Sequence, residues 1–327
     1  CDCDGNTNCS GCNSSDDCNE GLVCDMLPGT TELQCVPELF SGVVQSTQQA
    51  FYFIQDVELE SGGGLIENED WLASFKGDVC VGARIWGGEY TDVIAMGSDG
   101  SDETSDYLNT GNVPTFKIYD TSENQYLIVD WDHECINEGE LGSCGFSNLS
   151  FYQIDYLLGV VPVLITIPLH SENNLISFYV LPDYSEINYI FSSLGDNAIS
   201  ILGQSVSAFT NFDDNVWMGS IQDISEEKGY WLRLAEDDVL ELEGGPIKPN
   251  QKYFLDNGLN LISFPMPGSV PIEDAISAEF NDKITYLIGE GRASLRHNGF
   301  WAGSLEYFEG TKGYWINTDI DSDEALE

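Results

Sequence analysis

The sequence predicts a mainly β protein with four successive parts. A disulfide-rich module occupies residues 1–36 and an antiparallel β-sandwich residues 37–168, followed by two small tandem α+β repeat modules, rich in β-structure, at 169–246 and 247–327. Three observations lead to this prediction. Seven of the ten cysteines lie in the first 35 residues, the middle of the chain alternates apolar and polar residues in short runs, and the last part repeats a set of motifs in the same order.

Residues 1–36 contain so little apolar material that we expect cross-links alone to order them. Zinc sites favour pairs of the CxxC type, often with histidines, and only Cys9 and Cys12 have this spacing, with no histidine nearby. We therefore predict disulfides and a secreted protein in an oxidising compartment.

The number of cysteines in this module is odd, so at least one of them needs a partner elsewhere in the chain. Cys80 is the natural candidate, whereas Cys135 and Cys144 close a short acidic loop and are expected to pair with each other. The cysteines that we assign to disulfides are Cys1, Cys3, Cys9, Cys12, Cys18, Cys24, Cys35, Cys80, Cys135 and Cys144.

The sandwich is predicted from alternation of period two, with turn-forming residues between the runs and no helical period among them. A tight turn at Lys76–Asp78 joins two of the runs. The predicted strands are residues 50–59, 71–77, 78–86, 114–120 and 124–131. This order of short strands favours an antiparallel sandwich.

Two acidic segments are candidate calcium sites, because spaced carboxylates supply the oxygen ligands that calcium prefers. One is the loop 96–107, and the other is the run close to the last residue. A solvated polar loop explains the first equally well. The candidate ligands are Asp99, Asp102, Glu103, Asp106, Asp319, Asp321 and Asp323. We expect no other cofactor.

The repeat is carried by identical short motifs. NLISF occurs at 174–178 and 260–264, W-x-G-S at 217–220 and 301–304, and KGYW at 228–231 and 312–315. Matches that recur in one order indicate two copies of a module of about eighty residues.

Each copy is interpreted as a strand, a short helix and further strands. In the first copy the helix is predicted at 185–195, with Ser185 as its N-cap and Gly195 as its C-terminal cap. In the second copy Pro271 is placed in the first helical turn. The strand 229–234 alternates, so that Tyr230 and its i+2 neighbours face the core.

KGYW is interpreted as the entrance of this strand, in which glycine permits a turn, tyrosine packs inward and lysine pairs with nearby carboxylates. The repeated tryptophans are predicted to pack in a core or between modules. The alternative is an exposed aromatic platform for sugar rings. The tryptophans concerned are Trp217, Trp231, Trp301 and Trp315.

NLISF followed by W-x-G-S and KGYW resembles a module found, often in tandem, in large secreted and surface-anchored proteins of environmental bacteria. The segment WLASFKGDVCVGARIW at 71–86 is similar to a β-sandwich module of the same kind of protein. The repeat resemblance covers about half of the chain. It implies export and surface display and brings no catalytic residues. These relatives usually continue into a sorting domain, so we expect the chain to be a processed piece.

Charge and motifs exclude several classes of function. The net charge of −45 repels phosphate backbones, which argues against nucleic-acid binding. The most apolar run, 156–168, is too short to span a membrane and contains two prolines. His133, His170 and His297 lie far apart in sequence, and no catalytic motif is recognisable, so we do not expect an enzyme.

Two hypotheses of function remain. In the preferred one, the protein is an extracellular structural protein that forms a homo-oligomer, such as a cell-surface filament, a layer or an adhesin-like assembly. In the alternative, it is a secreted multi-module protein that binds surface glycans, with or without calcium. Buried tryptophans favour the first hypothesis, and exposed tryptophans beside a groove favour the second.

Overall fold

The computed structural model describes residues 12–65, 67–131, 133–137, 139–182, 184–211, 216–248 and 251–320, without the side chains of residues 278 and 279. Strands account for 52% of the chain and helices for 8%, which confirms the predicted mainly β class. The chain divides into two compact units, Cys1–Pro162 and Val163–Glu327. In the described part, no helix is long and apolar enough to cross a membrane.

Within its described residues, the first unit contains eleven strands and three 3-10 turns. The strands are β1 (Leu22–Asp25), β2 (Gln34–Pro37), β3 (Gln48–Leu59), β4 (Trp71–Lys76), β5 (Val79–Ile85), β6 (Thr91–Gly97), β7 (Thr115–Asp120), β8 (Gln125–Asp130), β9 (Glu134–Asn137), β10 (Glu140–Ser143) and β11 (Phe151–Val160). The 3-10 turns are Ser15–Asp17, Glu38–Phe40 and Asp102–Thr104. Each of the five predicted strands of the sandwich overlaps one of these strands.

The N-terminal module is held by both disulfides and apolar packing. Strands β1 and β2 form a hairpin. Leu27 and Val36 are buried in the same core as the sandwich residues. The expectation that only cross-links order this module is therefore corrected, because a small module without its own core gains apolar burial by packing on the adjacent sheet.

The sandwich is one nine-stranded sheet in the order β10-β9-β11-β8-β7-β4-β5, with β3 beside β11 and β6 beside β3. Strands β3 and β11 are parallel, with Phe51 opposite Phe151. The prediction of a wholly antiparallel sandwich is wrong at this pair. The intervening strands make a long connection, which allows β11 to enter beside β3 in the same direction.

The sheet is strongly curved, so that β4 and β5 contact β6 although they are not hydrogen-bonded to it as neighbouring strands. The hydroxyl of Ser74 on β4 donates a hydrogen bond of 2.7 Å to the carbonyl oxygen of Ile94 on β6. A Cβ atom on Gly82 would lie 2.0 Å from the same oxygen, so only glycine allows β5 to approach β6 this closely. The curled sheet encloses a core in which Tyr52 and Phe116 are fully buried.

In the part of the second unit that the structure describes, there are fifteen strands. They are β12 (Val163–Leu169), β13 (Glu172–Ile176), β14 (Val180–Leu181), β15 (Ala198–Gly203), β16 (Val206–Asn211), β17 (Val216–Gly219), β18 (Tyr230–Leu234), β19 (Asp238–Pro246), β20 (Gly258–Ile262), β21 (Ser269–Pro271), β22 (Ile284–Gly289), β23 (Arg292–His297), β24 (Phe300–Gly303), β25 (Tyr307–Glu309) and β26 (Tyr314–Thr318). The helical segments are α1 (Ile187–Ile190), the 3-10 helix Ser192–Asn197, α2 (Ile272–Ala275) and α3 (Ala278–Asn281).

Strand β12 belongs to the second unit, so the prediction that the sandwich extends to residue 168 is wrong for residues 163–168. It pairs along its whole length with β19. Ile165 and Ile167 are buried in the core of the first repeat. Strand β12 packs on this repeat because its side chains alternate between the two faces of the strand, so that every second side chain points toward that core.

The two repeats have the same strand order. The first sheet runs β13-β18-β15-β16-β17 and the second β20-β26-β22-β23-β24. The registers also correspond, since Ile176 lies opposite Tyr230 and Ile262 opposite Tyr314. The motif repeat in the sequence is therefore a repeat of strand topology.

The helices are shorter than predicted. Helix α1 has a single turn with Glu186, not Ser185, at its N-cap, and Gly195 has a φ of 49° inside the following 3-10 segment. Pro271 is the N-cap of α2, one residue before the predicted first turn. The apolar residues at helical spacing, which are Ile187, Ile190, Phe191 and Leu194, are nevertheless buried. Packing of that face, more than helix propensity, explains why so short a helix persists.

Candidate functional site: the joint between the repeats

Each KGYW segment is shared between the two repeats. In the first copy, the backbone of Lys228 forms an isolated antiparallel β-bridge with Ile262 of the other repeat. The N–H of Gly229 donates a hydrogen bond of 3.3 Å to the carbonyl oxygen of Leu261. The next residue, Tyr230, pairs with Ile176 of its own repeat. The segment therefore passes from one sheet to the other.

The second copy makes the same contacts in the opposite sense. The backbone of Lys312 forms an isolated antiparallel β-bridge with Ile176 of the first repeat. The N–H of Gly313 donates a hydrogen bond of 3.2 Å to the carbonyl oxygen of Leu175, and Tyr314 pairs with Ile262 of its own repeat. Strand β13 therefore pairs with β18 and strand β20 with β26. The segments that lead into β18 and β26 each pair with the opposite repeat, at Ile262 and Ile176. We call this region, residues 175–177, 226–229, 261–263 and 311–313, the joint.

Glycine is required in KGYW because the chains approach closely. A Cβ atom on Gly229 would lie 2.7 Å from the oxygen of Ile262 and 3.2 Å from the Cα of Gly313. Gly313 faces the same restriction from Ile176 and Gly229. Neither glycine has a positive φ, so the interpretation that glycine permits a turn is corrected to one of close approach.

The serine of NLISF also serves the joint. The hydroxyl of Ser177 donates a hydrogen bond of 2.7 Å to the carbonyl oxygen of Lys312. The hydroxyl of Ser263 donates to the backbone carbonyl oxygen of Glu226. Both serines are buried. A buried hydroxyl needs such a partner, and here the other repeat supplies it.

The asparagine of NLISF closes the loop that precedes its strand. Asn174 accepts from the N–H of His170 at 2.9 Å and donates to the carbonyl of His170 at 2.7 Å. Asn260 makes the equivalent pair of bonds with Asp256. This amide is therefore structural in both copies.

The tyrosines of KGYW are buried, which confirms the predicted orientation. Tyr230 and Tyr314 are 3% and 2% exposed. Their hydroxyls accept from the backbone N–H groups of Ser225 and Glu309 at 2.9 and 2.7 Å. Burial raises the pKa of Tyr314 to about 12, so this hydroxyl stays neutral near pH 7.

The four tryptophans do not form one platform. Trp217 is buried against Phe191. Trp301 is half-buried and its indole N–H donates to Asn281 at 3.0 Å. Trp231 and Trp315 are half-buried and point away from the inward-facing tyrosines beside them. Each repeat therefore places its two tryptophans on opposite faces of its sheet.

One side of the joint carries a charged cluster. The carboxylate of Glu290 accepts from the N–H of Leu175 at 3.0 Å and contacts His170 Nε2 at 2.6 Å and Lys312 Nζ at 3.7 Å. At the corresponding place on the other side, the amide oxygen of Gln204 accepts from Leu261. The sequence did not single out His170, Gln204 or Glu290 for this role.

The predicted pairing of the repeated lysine with carboxylates is found for Lys312. Within the described part of the chain, Lys228 has no carboxylate at ion-pair distance. The two lysines differ because the corresponding position holds an amide, Gln204, in the first repeat and a carboxylate, Glu290, in the second.

The cluster shifts the protonation of its members. The Glu290 carboxylate and the Ser171 carbonyl raise the pKa of His170. Partial burial alone would raise the pKa of Glu290, but the His170 ring, the Leu175 N–H and Lys312 outweigh it and lower this pKa. Both shifts favour the ionised pair.

We predict that this pair makes the stability of the joint depend on pH. Because the pKa of His170 is raised on folding, its contribution is complete below about pH 6.5 and is lost as the pH rises through the folded pKa. The contribution of Glu290 is present above about pH 4.3 and lost on acidification. Melting temperatures at pH 5.5 and 8.5 should therefore differ more for the wild type than for His170→Gln. An identical pH dependence in the two proteins would contradict the prediction.

The acidic loop does not gather its carboxylates. The hydroxyl of Thr104 and the N–H of Thr47 bond to Asp99 at 2.8 and 3.1 Å and hold its pKa below the usual range. The other three candidates, Asp102, Glu103 and Asp106, are exposed. Asp99 therefore orders its own loop.

The terminal acidic candidates are only partly within the described residues. Asp319 is exposed, and Asp321 and Asp323 lie outside them. Among the described residues, the only group of three metal-ligand atoms lying together is formed by the sulfurs of Cys12, Cys18 and Cys35. These sulfurs belong to two disulfides, so they are not thiolate ligands.

Three disulfides are present in the described residues. They are Cys12–Cys24, Cys18–Cys35 and Cys135–Cys144, the last as predicted. Cys80 is a buried free thiol, so its predicted pairing is wrong. Its sulfur lies in the sandwich core, 3.7 Å from the carbonyl oxygen of Phe40, and burial raises its pKa to about 12. Cys1, Cys3 and Cys9 lie outside the described residues.

Removing the disulfide between β9 and the residue after β10 should destabilise the first unit. For the double variant Cys135→Ala/Cys144→Ala we expect a loss of about 2–3 kcal/mol, as chain entropy predicts for a loop of this length. Urea denaturation followed by circular dichroism measures it. Cys80→Ala is the control that removes a buried sulfur without a cross-link. An unchanged midpoint in the double variant would show that the loop is ordered without the disulfide.

Comparisons of this chain with protein-family models, curated proteins and solved structures find no match. Its function is therefore inferred from its own residues and their geometry.

Proposed function

We propose that this protein is an extracellular structural protein, a subunit of a cell-surface filament, layer or adhesin-like assembly. The observation that carries the proposal is the joint. Its repeated Ser, Lys and Gly residues are engaged in pairing the two repeats through their backbones. Repeated residues with a purely architectural use favour a protein whose role is to hold a shape.

Two further features support the proposal. Three disulfides favour an oxidising compartment. The resemblance of the repeats to modules of surface-anchored bacterial proteins points to the same location.

The glycan-binding alternative has less support from the geometry. A sugar platform needs aromatic faces exposed side by side. Trp217 is buried in the core, and Trp231 lies on the opposite face of the sheet. The two tryptophans of this repeat therefore do not present a common surface.

Self-assembly in solution tests the proposal. At low salt, a net charge of −45 should keep copies apart. Raising the sodium chloride concentration should allow assembly by screening, and calcium should act at lower concentration if it binds carboxylates. Light scattering and negative-stain electron microscopy across salt, calcium and chelator measure the result. A protein that remains monomeric in every condition would contradict the proposal.

A further inference from the structure

The joint connects two repeats whose hydrophobic cores are separate. One core contains buried residues between positions 165 and 242, and the other contains buried residues between positions 264 and 316. Among the described residues, four backbone hydrogen bonds cross the joint. They run from Ser177 to Thr311, from Gly313 to Leu175, from Ser263 to Glu227 and from Gly229 to Leu261. Separation of the repeats would therefore break the joint and leave both cores closed.

The segment between the repeats is long enough to let them separate. Strand β19 ends at Pro246 and strand β20 begins at Gly258, so residues 247–257 connect the two. Fully extended, this segment spans up to about 40 Å. A module of about eighty residues has a diameter of about 30 Å. A repeat can therefore leave its own joint and reach the same joint in a second copy of the chain.

The charges at the two edges of the joint match unlike repeats. At the first edge, His170 of the first repeat contacts Glu290 of the second repeat at 2.6 Å. Both ring nitrogens of His170 lie at oxygen acceptors, so the ring carries a proton on each of them and is a cation. At the second edge, Asp256 of the second repeat stands in the position of His170, and Gln204 of the first repeat in that of Glu290. At one edge a cation is therefore opposite a carboxylate, and at the other a carboxylate is opposite a neutral amide.

Pairing of like repeats would lose this match. Two copies of the second repeat would bring Glu290 toward Asp256 at both edges, so that carboxylates repel each other there. Two copies of the first repeat would place His170 beside Gln204 and Lys228 at both edges, which leaves the cations without a carboxylate. Unlike pairing avoids both arrangements, and such differences in charge determine which partner an interface accepts.

We propose that the joint also forms between copies, with the first repeat of one copy paired to the second repeat of another. This exchange rests on the proposed function and supplies the interface of its assembly. The partner is a second copy of this chain, because its second repeat carries the surface that already fits the first repeat in the structure. Each exchanged contact leaves a second repeat free at one end and a first repeat free at the other. The contact therefore propagates into a linear assembly or closes into a ring.

Disulfide mapping tests the exchange. Lys228 and Ile262 lie opposite each other in an antiparallel bridge, a separation that a disulfide can span. One copy carries Lys228→Cys and the other Ile262→Cys, so that a link between positions 228 and 262 forms only between copies. An equimolar mixture, assembled in salt and oxidised, should contain several-fold more of this link by peptide mass mapping than the same mixture kept at low salt. Leu164→Cys, at an exposed residue outside the joint, replaces Ile262→Cys in the control mixture and should show no such increase.

Charge exchange tests the choice of the unlike repeat. Gln204→Glu places a second carboxylate opposite Asp256 and should lower both the melting temperature and the extent of assembly. Gln204→Glu/Asp256→His supplies a second pair like that of His170 and Glu290, and below about pH 6.5 it should recover most of both losses. Asp256→His alone is the control. Additive effects of the two substitutions would overturn the assignment of selectivity to these residues.

A cross-linked joint tests whether assembly needs the exchange. Lys228→Cys/Ile262→Cys in one chain, oxidised at low salt, fixes the two repeats of that chain to each other. In salt that permits wild-type assembly, sedimentation velocity should show only monomers of this variant. Lys228→Ala/Ile262→Val changes the same residues without a cross-link and should assemble. Circular dichroism melting confirms that each variant is folded, and the equivalent pair Lys312→Cys and Ile176→Cys replaces any cysteine variant that is not.

The outcomes separate this inference from the proposed function. Undiminished assembly of the cross-linked variant, or an assembled mixture without the link between positions 228 and 262, would overturn the exchange and leave the proposed function intact. A wild type that stays monomeric in every condition would overturn both.

Discussion

Replacing Tyr230 by alanine is expected to lower the free energy of unfolding of the second unit by about 3 kcal/mol, as for other large-to-small changes in a core. The ring is almost completely buried and its hydroxyl accepts from the N–H of Ser225. The alanine variant loses both the packing and this bond. Urea denaturation followed by tryptophan fluorescence measures the change.

Two further variants separate these contributions. Tyr230→Phe removes only the hydroxyl and should cost about 1 kcal/mol, the net value of one hydrogen bond. Tyr307→Ala, at a tyrosine that is 43% exposed, should change stability by less than about 0.5 kcal/mol. If Tyr230→Ala unfolds at the same urea concentration as the wild type, the burial of this side chain does not stabilise the repeat.

The double variant Gly229→Ala/Gly313→Ala is expected to lose about 3–4 kcal/mol, because overpacking costs about 1–3 kcal/mol at each site. Each new methyl group would meet backbone of the other repeat. The two strands must then move apart, which weakens the hydrogen bonds that close the joint. Since the glycines contact each other, the two losses should not be additive.

Gly142→Ala is the matched control for the joint. Gly142 is an exposed strand residue with nothing within 4 Å of an added Cβ atom, and its φ is not positive. We expect this variant to melt within a degree or two of the wild type, since surface changes rarely exceed about 0.5 kcal/mol. A double glycine variant that melts like Gly142→Ala would show that the close approach is not needed for stability.

Periodicity in the sequence was sufficient to predict most strands and the inward side of KGYW. Tyr230, Leu232 and Leu234 alternate with less buried residues as predicted, because a half-buried strand must turn every second side chain toward apolar surroundings. The pairing of Cys135 with Cys144 was also predictable, since the two are close in sequence. Local patterns such as these need no knowledge of the rest of the fold.

Contacts between distant segments could not be predicted in the same way. Nothing in the neighbourhood of Cys80 indicates that its sulfur lies inside the sandwich beside Phe40. Asp99 looks like a calcium ligand in sequence, but Thr47, far away in the chain, engages its carboxylate. The cluster of His170, Glu290 and Lys312 joins residues from two repeats.

The sequence by itself determined that the protein is mainly β, that its N-terminal module is cross-linked and that its last part is duplicated, because periodicity, cysteine spacing and motif identity are local properties of the chain. Only the tertiary structure decided why KGYW is duplicated. Gly229 and Gly313 are required by the approach of two strands from different repeats, and that approach depends on how the sheets pair. A pairing between segments of different repeats leaves no periodic signal in either segment, since each motif is also compatible with a strand that packs only within its own repeat.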